Sequence, residues 1–140
     1  MNSNLQSIKR KSDEWHKYRI LDKVLDVNYP FPNINECIDS FEFQGIQTTS
    51  EAALEGFEMK HCLYTNYNVM MLEGEYMAFK VIGEGIRGTF GAYVSRNALN
   101  NNFLEFKYDQ CFSVGNTKMP KEAHSACKKL VKMINKQNIE

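Results

Sequence analysis

His61 and Cys62 stand side by side in the stretch Glu55-Gly56-Phe57-Glu58-Met59-Lys60-His61-Cys62-Leu63, the one place in the chain where an imidazole and a thiol are adjacent. A cysteine attacks as its thiolate, so it needs a base or a cation within hydrogen-bond reach. Adjacency alone does not supply one, because consecutive side chains on a helix diverge by about 100°. The base for Cys62 is therefore His61 itself, or His16 or His124 brought in from elsewhere, with Gln110 or Asn116 available to orient a ring. The competing reading is structural: Cys62 packs in the core and His61 satisfies the backbone. Sulfur and imidazole also bind zinc, and Cys62, Cys111 and Cys127 with His61, His124 or His16 contain enough ligands for a tetrahedral site. His124 and Cys127 stand one helical turn apart. No Cys-x-x-Cys knuckle occurs, however, and Cys127 lies in an apolar stripe. The expectation is therefore no metal and no cofactor, with the four cysteines serving as small apolar side chains.

A second chemistry is charge recognition. Lysines plus arginines equal aspartates plus glutamates, 17 of each, but they are unevenly placed. Residues 1–28 carry six basic against four acidic residues, 117–140 six against two, and 29–116 five against eleven. Lys9, Arg10 and Lys11 near the start and Lys128, Lys129 and Lys132 near the end are the candidate contacts for an anionic partner, against the alternative of ordinary solvated helix faces. Trp15, Tyr18 and Tyr29 are available to stack on bases, which leaves nucleic acid open as a partner. The neutral balance and acidic middle argue against an extended duplex-binding surface. Gly83-Glu84-Gly85-Ile86-Arg87-Gly88 spells a phosphate-binding fingerprint, but it joins two strands rather than a strand to a helix, and reads as a hairpin.

The elements that must position these residues follow from periodicity. Leu5, Ile8, Trp15, Tyr18, Leu21 and Leu25 can share a helical face over residues 4–27, with Ser12 either a fault in that stripe or, before Asp13-Glu14, the N-cap of a second helix. Pro30 and Pro32 end that region, and residues 34–43 mix helical and extended signals. Thr48-Thr49-Ser50-Glu51 caps a short helix from about Ser50 to Phe57, with Gly56 placed for a left-handed exit. Met59 to Tyr67 forms another helical turn carrying His61 and Cys62, and Val69 to Leu72 bury apolar surface. Three strands follow: Tyr76–Ile82, apolar on both faces; Ile86–Val94, with Ile86, Gly88, Phe90, Ala92 and Val94 on one face and its glycines marking a bulge or close approach; and Phe103–Val114, alternating. Asn97 to Asn102 reads as a polar loop. Pro120 opens a final helix whose Ala123, Ala126, Cys127, Leu130, Val131 and Ile134 form an apolar stripe. The fold class is α+β, a three-stranded antiparallel meander covered on one face by N-terminal and C-terminal helices.

A chain of 140 residues with 43% hydrophobic content suits one globular domain, spanning 1–140, with an N-terminal helical region at 1–28 and a core at 45–135. No apolar run approaches a membrane span, and Met1-Asn2-Ser3-Asn4 has no apolar signal core, so the expected location is cytoplasmic with no membrane partner.

With these elements placed, the chain resembles the PcfJ-like family of conjugative plasmids, phages and related mobile elements. The resemblance rests on Gly45-Ile46-Gln47-Thr48-Thr49-Ser50-Glu51 leading into Glu55-Gly56 and Met59-Lys60-His61-Cys62, on the three strands in order, on Gln110 and Asn116 in a Gln-x-x-Gly-x-x-Asn pattern, on the Met119-Pro120 helix start, and on Trp15-His16 upstream. It covers roughly residues 12–135. Ser113 stands where Gly is usual, Leu63 where Val is usual, and Gly91 where many members carry an acidic residue. The resemblance implies a fold and a mobile-element setting, since no reaction is assigned to the family. The expected function is a non-enzymatic interaction module of a phage or plasmid, directed at a host protein or complex, with inhibition of a defence complex such as a CRISPR effector as its most concrete form. A Cys/His-dependent enzyme centred on His61 and Cys62, and a nucleic-acid-binding accessory of DNA transfer, are the alternatives.

Overall fold

The computed structural model describes residues 26–61, 63–97 and 100–139, leaving aside the side chains at 97, 100–103, 116 and 137–139. The helix expected over 4–27 lies almost wholly outside these residues, as do Lys9, Arg10, Lys11, Trp15, His16 and Cys62.

Among the described residues five strands form one antiparallel sheet in chain order: β1 (Asn35–Ile38), β2 (Phe41–Gly45), β3 (Tyr76–Gly83), β4 (Ile86–Asn97) and β5 (Asn100–Phe112). The fold is α+β as expected, but the meander has two more strands than the periodicity revealed. The segment that read ambiguously over 34–43 is the β1–β2 hairpin, which pairs Ile38 with Phe41 and continues onto β3 through Phe43 and Val81. The proposed polar loop at 97–102 is shorter, because β4 and β5 extend into it.

Helices lie on both faces, not one. Alternation along β3 shows this directly. Met77, Phe79 and Val81 point into a core with Phe90 of β4 and with Ala123, Ala126, Cys127 and Leu130 of α3 (Lys121–Ile139, the third of the described helices). Tyr76 and Ala78 point the other way, into a second core with Ala52 of α1 (Thr49–Met59) and Leu63 and Met71 of α2 (Leu63–Leu72). A central strand buried on both faces reads as an apolar run, which is why β3 was legible. The α3 stripe behaves as its spacing predicts, with all six apolar positions buried. The last turn of α2 does not: Met71 is fully buried, but Val69 and Leu72 face solvent.

The outer edge of β5 is engaged in an unusual way. The Asn135 carboxamide of α3 accepts from the Phe106 backbone N–H at 2.8 Å and donates to the Phe106 carbonyl at 2.9 Å. It stands in for a neighbouring strand at that point and blunts an edge that would otherwise offer unpaired groups to another chain.

Candidate functional site

The Glu55-to-Leu63 segment is organised by the end of α1. Thr48 caps the start, its hydroxyl accepting from Glu51 N–H at 3.1 Å, while the Glu51 carboxylate returns to Gln47 N–H. At the other end the left-handed residue is Lys60, with φ of 54°, and not Gly56. His61 N–H closes back onto the Gly56 carbonyl at 3.0 Å. Gly56 is helical, and its small size serves a close approach: a Cβ there would stand 3.1 Å from the His61 carbonyl oxygen. The expected helical turn from Met59 to Tyr67 is therefore broken, with His61 in the corner between α1 and α2.

That corner aims three groups at β4. Glu55 is fully buried. Both of its carboxylate oxygens accept from the Arg87 guanidinium, one of them at 2.9 Å. The Thr89 hydroxyl donates to Glu55 Oε2 at 2.5 Å. Leu63 N–H donates to His61 Nδ1 at 3.2 Å, which makes Nδ1 an acceptor and places the ring proton on Nε2. His61 Nε2–H then donates to Thr89 Oγ1 at 2.9 Å. The result is a directed chain from Leu63 N–H through His61 and Thr89 to Glu55, with Arg87 closing the charge. Ser113 donates to the Arg87 carbonyl at 3.1 Å, tying the end of β5 to the same point.

This geometry bears directly on the candidate chemistry. A general base needs an unoccupied lone pair, and the one His61 has is taken by Leu63 N–H. Burial, the largest influence, lowers the His61 pKa below its ordinary value, with Arg87 adding to it and Glu55 opposing. The ring is a neutral structural link between the corner and β4. Because the folded state holds this proton less readily than the unfolded chain, the stability His61 contributes is present above the ordinary histidine value and is lost as pH falls through its lowered folded value. We expect the urea midpoint of the protein to fall more steeply between about pH 7.5 and about pH 5 than that of His61→Gln, which cannot titrate. Equal slopes would rule this role out.

The other sequence candidates separate. His124 sits on α3, across the sheet from His61, with Nδ1 at 2.5 Å from the Tyr108 hydroxyl. Cys127 is buried against Cys111; hydrogen bonding to Cys111, and then burial, pushes its thiol well above the ordinary range. His124 and Cys127 thus have different partners. Among the described residues no three His, Cys, Asp or Glu side chains come together as metal ligands. Among the described residues Gln110 meets no histidine: its amide donates to the Tyr67 hydroxyl at 3.2 Å. Asn116 lies in a short 3-10 turn, Val114–Asn116, that packs against α1.

Two constellations escaped the sequence reading. Arg87 and Thr89 are one, although they share the β4 face opposite Ile86, Gly88 and Phe90, and a charged residue on an otherwise apolar strand is a signal. The other is aromatic. The Tyr76 hydroxyl donates to Asp109 Oδ2 at 2.8 Å, its ring stacks on Tyr67 at 4.4 Å between centroids, and Tyr93 meets it edge-on. Burial first, then the Asp109 bond, raises the Tyr76 pKa far above its ordinary value.

On the far face, α3 presents Lys121, Ser125, Lys128 and Lys132 at spacings of four, three and four residues, opposite its apolar stripe. With His124 and Lys129 they line an open groove of about 450 Å³. Lys129 pairs with Asp39, and the Lys128 ammonium sits 5.7 Å from the Tyr108 ring centroid. Among the described residues Lys121 and Lys132 form no ion pair.

Among the described residues no helix is long and apolar enough to cross a membrane. The fold and site define a five-stranded antiparallel α+β domain with a buried Glu–Arg–Thr–His cluster and a lysine-lined helix. Compared with protein-family models, curated proteins and solved structures, the chain finds no match.

Proposed function

We propose that the chain is a non-enzymatic interaction module of the PcfJ-like type, carried by a phage or plasmid, that uses the lysine face of α3 to hold an acidic patch on a host protein complex, such as a defence effector. The carrying observation is the groove lined by Lys121, Lys128, Lys129 and Lys132, a cationic surface on a rigid helix whose opposite face is locked in the core. Long-range attraction of this kind speeds encounter and sets register, while affinity comes from the contacts that follow. The His61 geometry supports a binding role over a hydrolytic one, because the ring is committed to Leu63 and Thr89. The mobile-element setting rests on the sequence resemblance alone.

The test compares capture of host proteins by the full chain, by Lys128→Glu/Lys132→Glu and by Cys62→Ser, followed by titration with the purified captured protein. The charge reversals should weaken binding by about tenfold or more, a loss of at least about 1.4 kcal/mol, while Cys62→Ser binds as the parent does. Loss of function with Cys62→Ser and retention with the reversals would replace this reading with the enzymatic one. Capture of nucleic acid with a steep salt dependence would replace it with the DNA-transfer reading.

A further inference from the structure

The groove along α3 holds more than charge. Besides its lysines it is lined by His124 and Ser125 and, among the described residues, by no carboxylate. We infer that its N-terminal end, between Lys121 and Lys128, is a subsite for a phosphoryl group, the monoester on a phosphorylated serine or threonine of the partner protein. The inference rests on the reading of α3 as the interaction surface and names the group that surface recognises.

Three observations carry the assignment. The first is spacing. Lys121 stands three and four residues before His124 and Ser125, and Lys128 stands four and three residues after them. Residues so spaced on a helix are surface neighbours, with about 5–6 Å between Cβ atoms, so the four side chains are the corners of one patch. All four line the groove. The second is that the two neutral corners are donors. The Tyr108 hydroxyl lies 2.5 Å from His124 Nδ1. Burial, as the largest influence, raises the Tyr108 pKa above its ordinary value, so the phenol keeps its proton and donates it to Nδ1. The ring proton is then on Nε2. Among the described residues neither His124 Nε2 nor the Ser125 hydroxyl has a hydrogen-bond partner. The third is charge. Lys129 is paired with Asp39, whereas Lys121 and Lys128 have no carboxylate partner among the described residues, and the Lys128 ammonium rests 5.7 Å from the Tyr108 ring centroid. Two ammonium groups and two neutral donors match a phosphomonoester, which brings about two negative charges and three acceptor oxygens. A carboxylate brings one charge and two oxygens, and leaves half of the patch unanswered. Single-stranded nucleic acid binds through rings on which its bases stack. Among the described residues the one ring lining this groove is the His124 imidazole, which Tyr108 already holds.

The probe is inorganic phosphate, compared with acetate at equal ionic strength, and the readout is the amide and imidazole resonances of the isotope-labelled full chain. Phosphate should move the amides of Lys121 to Lys128 and the His124 Nε2–H along a saturable curve, and acetate should not. Ser125→Ala, at an exposed position, should weaken phosphate binding about fivefold, and Tyr108→Phe, which frees the ring, by a similar factor. Lys107→Gln removes an exposed charge from β5 beside Tyr93, on the other face of the sheet, and should change the affinity less than about twofold. If Tyr108→Phe fails to fold, Ser125→Ala decides alone. A response to phosphate no stronger than that to acetate overturns the inference. So does a proton found on His124 Nδ1, or equal phosphate affinity in Ser125→Ala and the parent, which reduces the groove to plain charge. Tighter binding of a single-stranded oligonucleotide without a terminal phosphate than of a phosphoserine peptide gives the groove to nucleic acid and overturns it as well. The phosphate titration needs no partner, so its outcome is separate from that of host-protein capture. Phosphatase treatment of a host protein captured through α3 should weaken its binding as Ser125→Ala does. A captured partner indifferent to both overturns the phosphoryl assignment and leaves α3 as the interaction surface.

Discussion

Arg87→Met is expected to destabilise the protein by about 3 kcal/mol, read as a fall in the urea midpoint at unchanged slope. Removing one partner of a buried ion pair strands the other, at about 3–5 kcal/mol. The lower end applies here because the Arg87 side chain is 32% exposed, while that of Glu55 is 0% exposed. The same asymmetry predicts an order. Glu55→Gln should cost less, about 1–2 kcal/mol, because its amide still accepts from Thr89 and the orphaned guanidinium can turn to water. The double variant Glu55→Gln/Arg87→Met should cost less than the sum of the two, since each removes the reason the other is costly. A loss below about 0.5 kcal/mol for Arg87→Met, or strict additivity, would mean that the pair behaves as a surface contact. The test also bears on function. If Glu55, His61, Thr89 and Arg87 exist to pin the α1–α2 corner to β4, their variants should track stability and leave the lysine face of α3 able to bind whenever the chain is folded.

What the sequence disclosed and what it withheld divide along physical lines. β3 and α3 were legible because one period dominates each: an apolar run bounded by turns, and a 3.6-residue stripe that proved buried at every position. The β1–β2 hairpin was not legible because its turn, Asp39-Ser40, takes positive φ at both residues (50° and 73°) without a glycine. The usual sequence mark of such a turn, Asn-Gly or Asp-Gly, is missing. Lys60 hides the end of α1 in the same way, and the nearby glycine drew the helix exit to the wrong residue. On β5 the simple alternation fails partway. Gly91 pairs with Gln110 but Ala92 pairs with Tyr108, so Asp109 is extra. A one-residue bulge moves every later side chain to the other face. Cys111, and not Phe112, therefore joins Phe106 in the core.

The site was half visible. Glu55, Gly56 and His61 were marked together by the family-like segment, and they do converge, but for a reason the motif does not state: Gly56 lets the returning chain pass, and His61 and Glu55 meet on Thr89. The strand partners come from more than 25 residues later, and no local pattern joins them to the corner. Adjacency to Cys62 left the partner of the His61 ring open, and among the described residues its partners are a backbone N–H two residues on and a hydroxyl across the layer.

Gly91→Ala should produce the other large loss, about 3–5 kcal/mol, and its sign is the decisive part. In an ordinary strand position the change from glycine to alanine is favourable by about 0.5–1 kcal/mol, because glycine gives up more chain entropy on folding. Here a Cβ would stand 1.8 Å from the Tyr76 hydroxyl oxygen and 2.5 Å from Cζ. Tyr76 cannot retreat. It is buried, stacked on Tyr67, met edge-on by Tyr93, and held by its hydrogen bond to Asp109. Forcing it aside adds overpacking, about 1–3 kcal/mol, to the loss of a bond to a carboxylate, about 1.5–3 kcal/mol. The bulge matters because the inserted residue is the one that meets the tyrosine hydroxyl, and that hydroxyl fills the place a side chain at 91 would take. The cause can be isolated. In a Tyr76→Ala background, itself costing about 3–5 kcal/mol, adding Gly91→Ala should be nearly neutral, because the obstructing ring is gone. If Gly91→Ala instead stabilises the parent, or costs the same in both backgrounds, then the tyrosine does not set the requirement for glycine at this position.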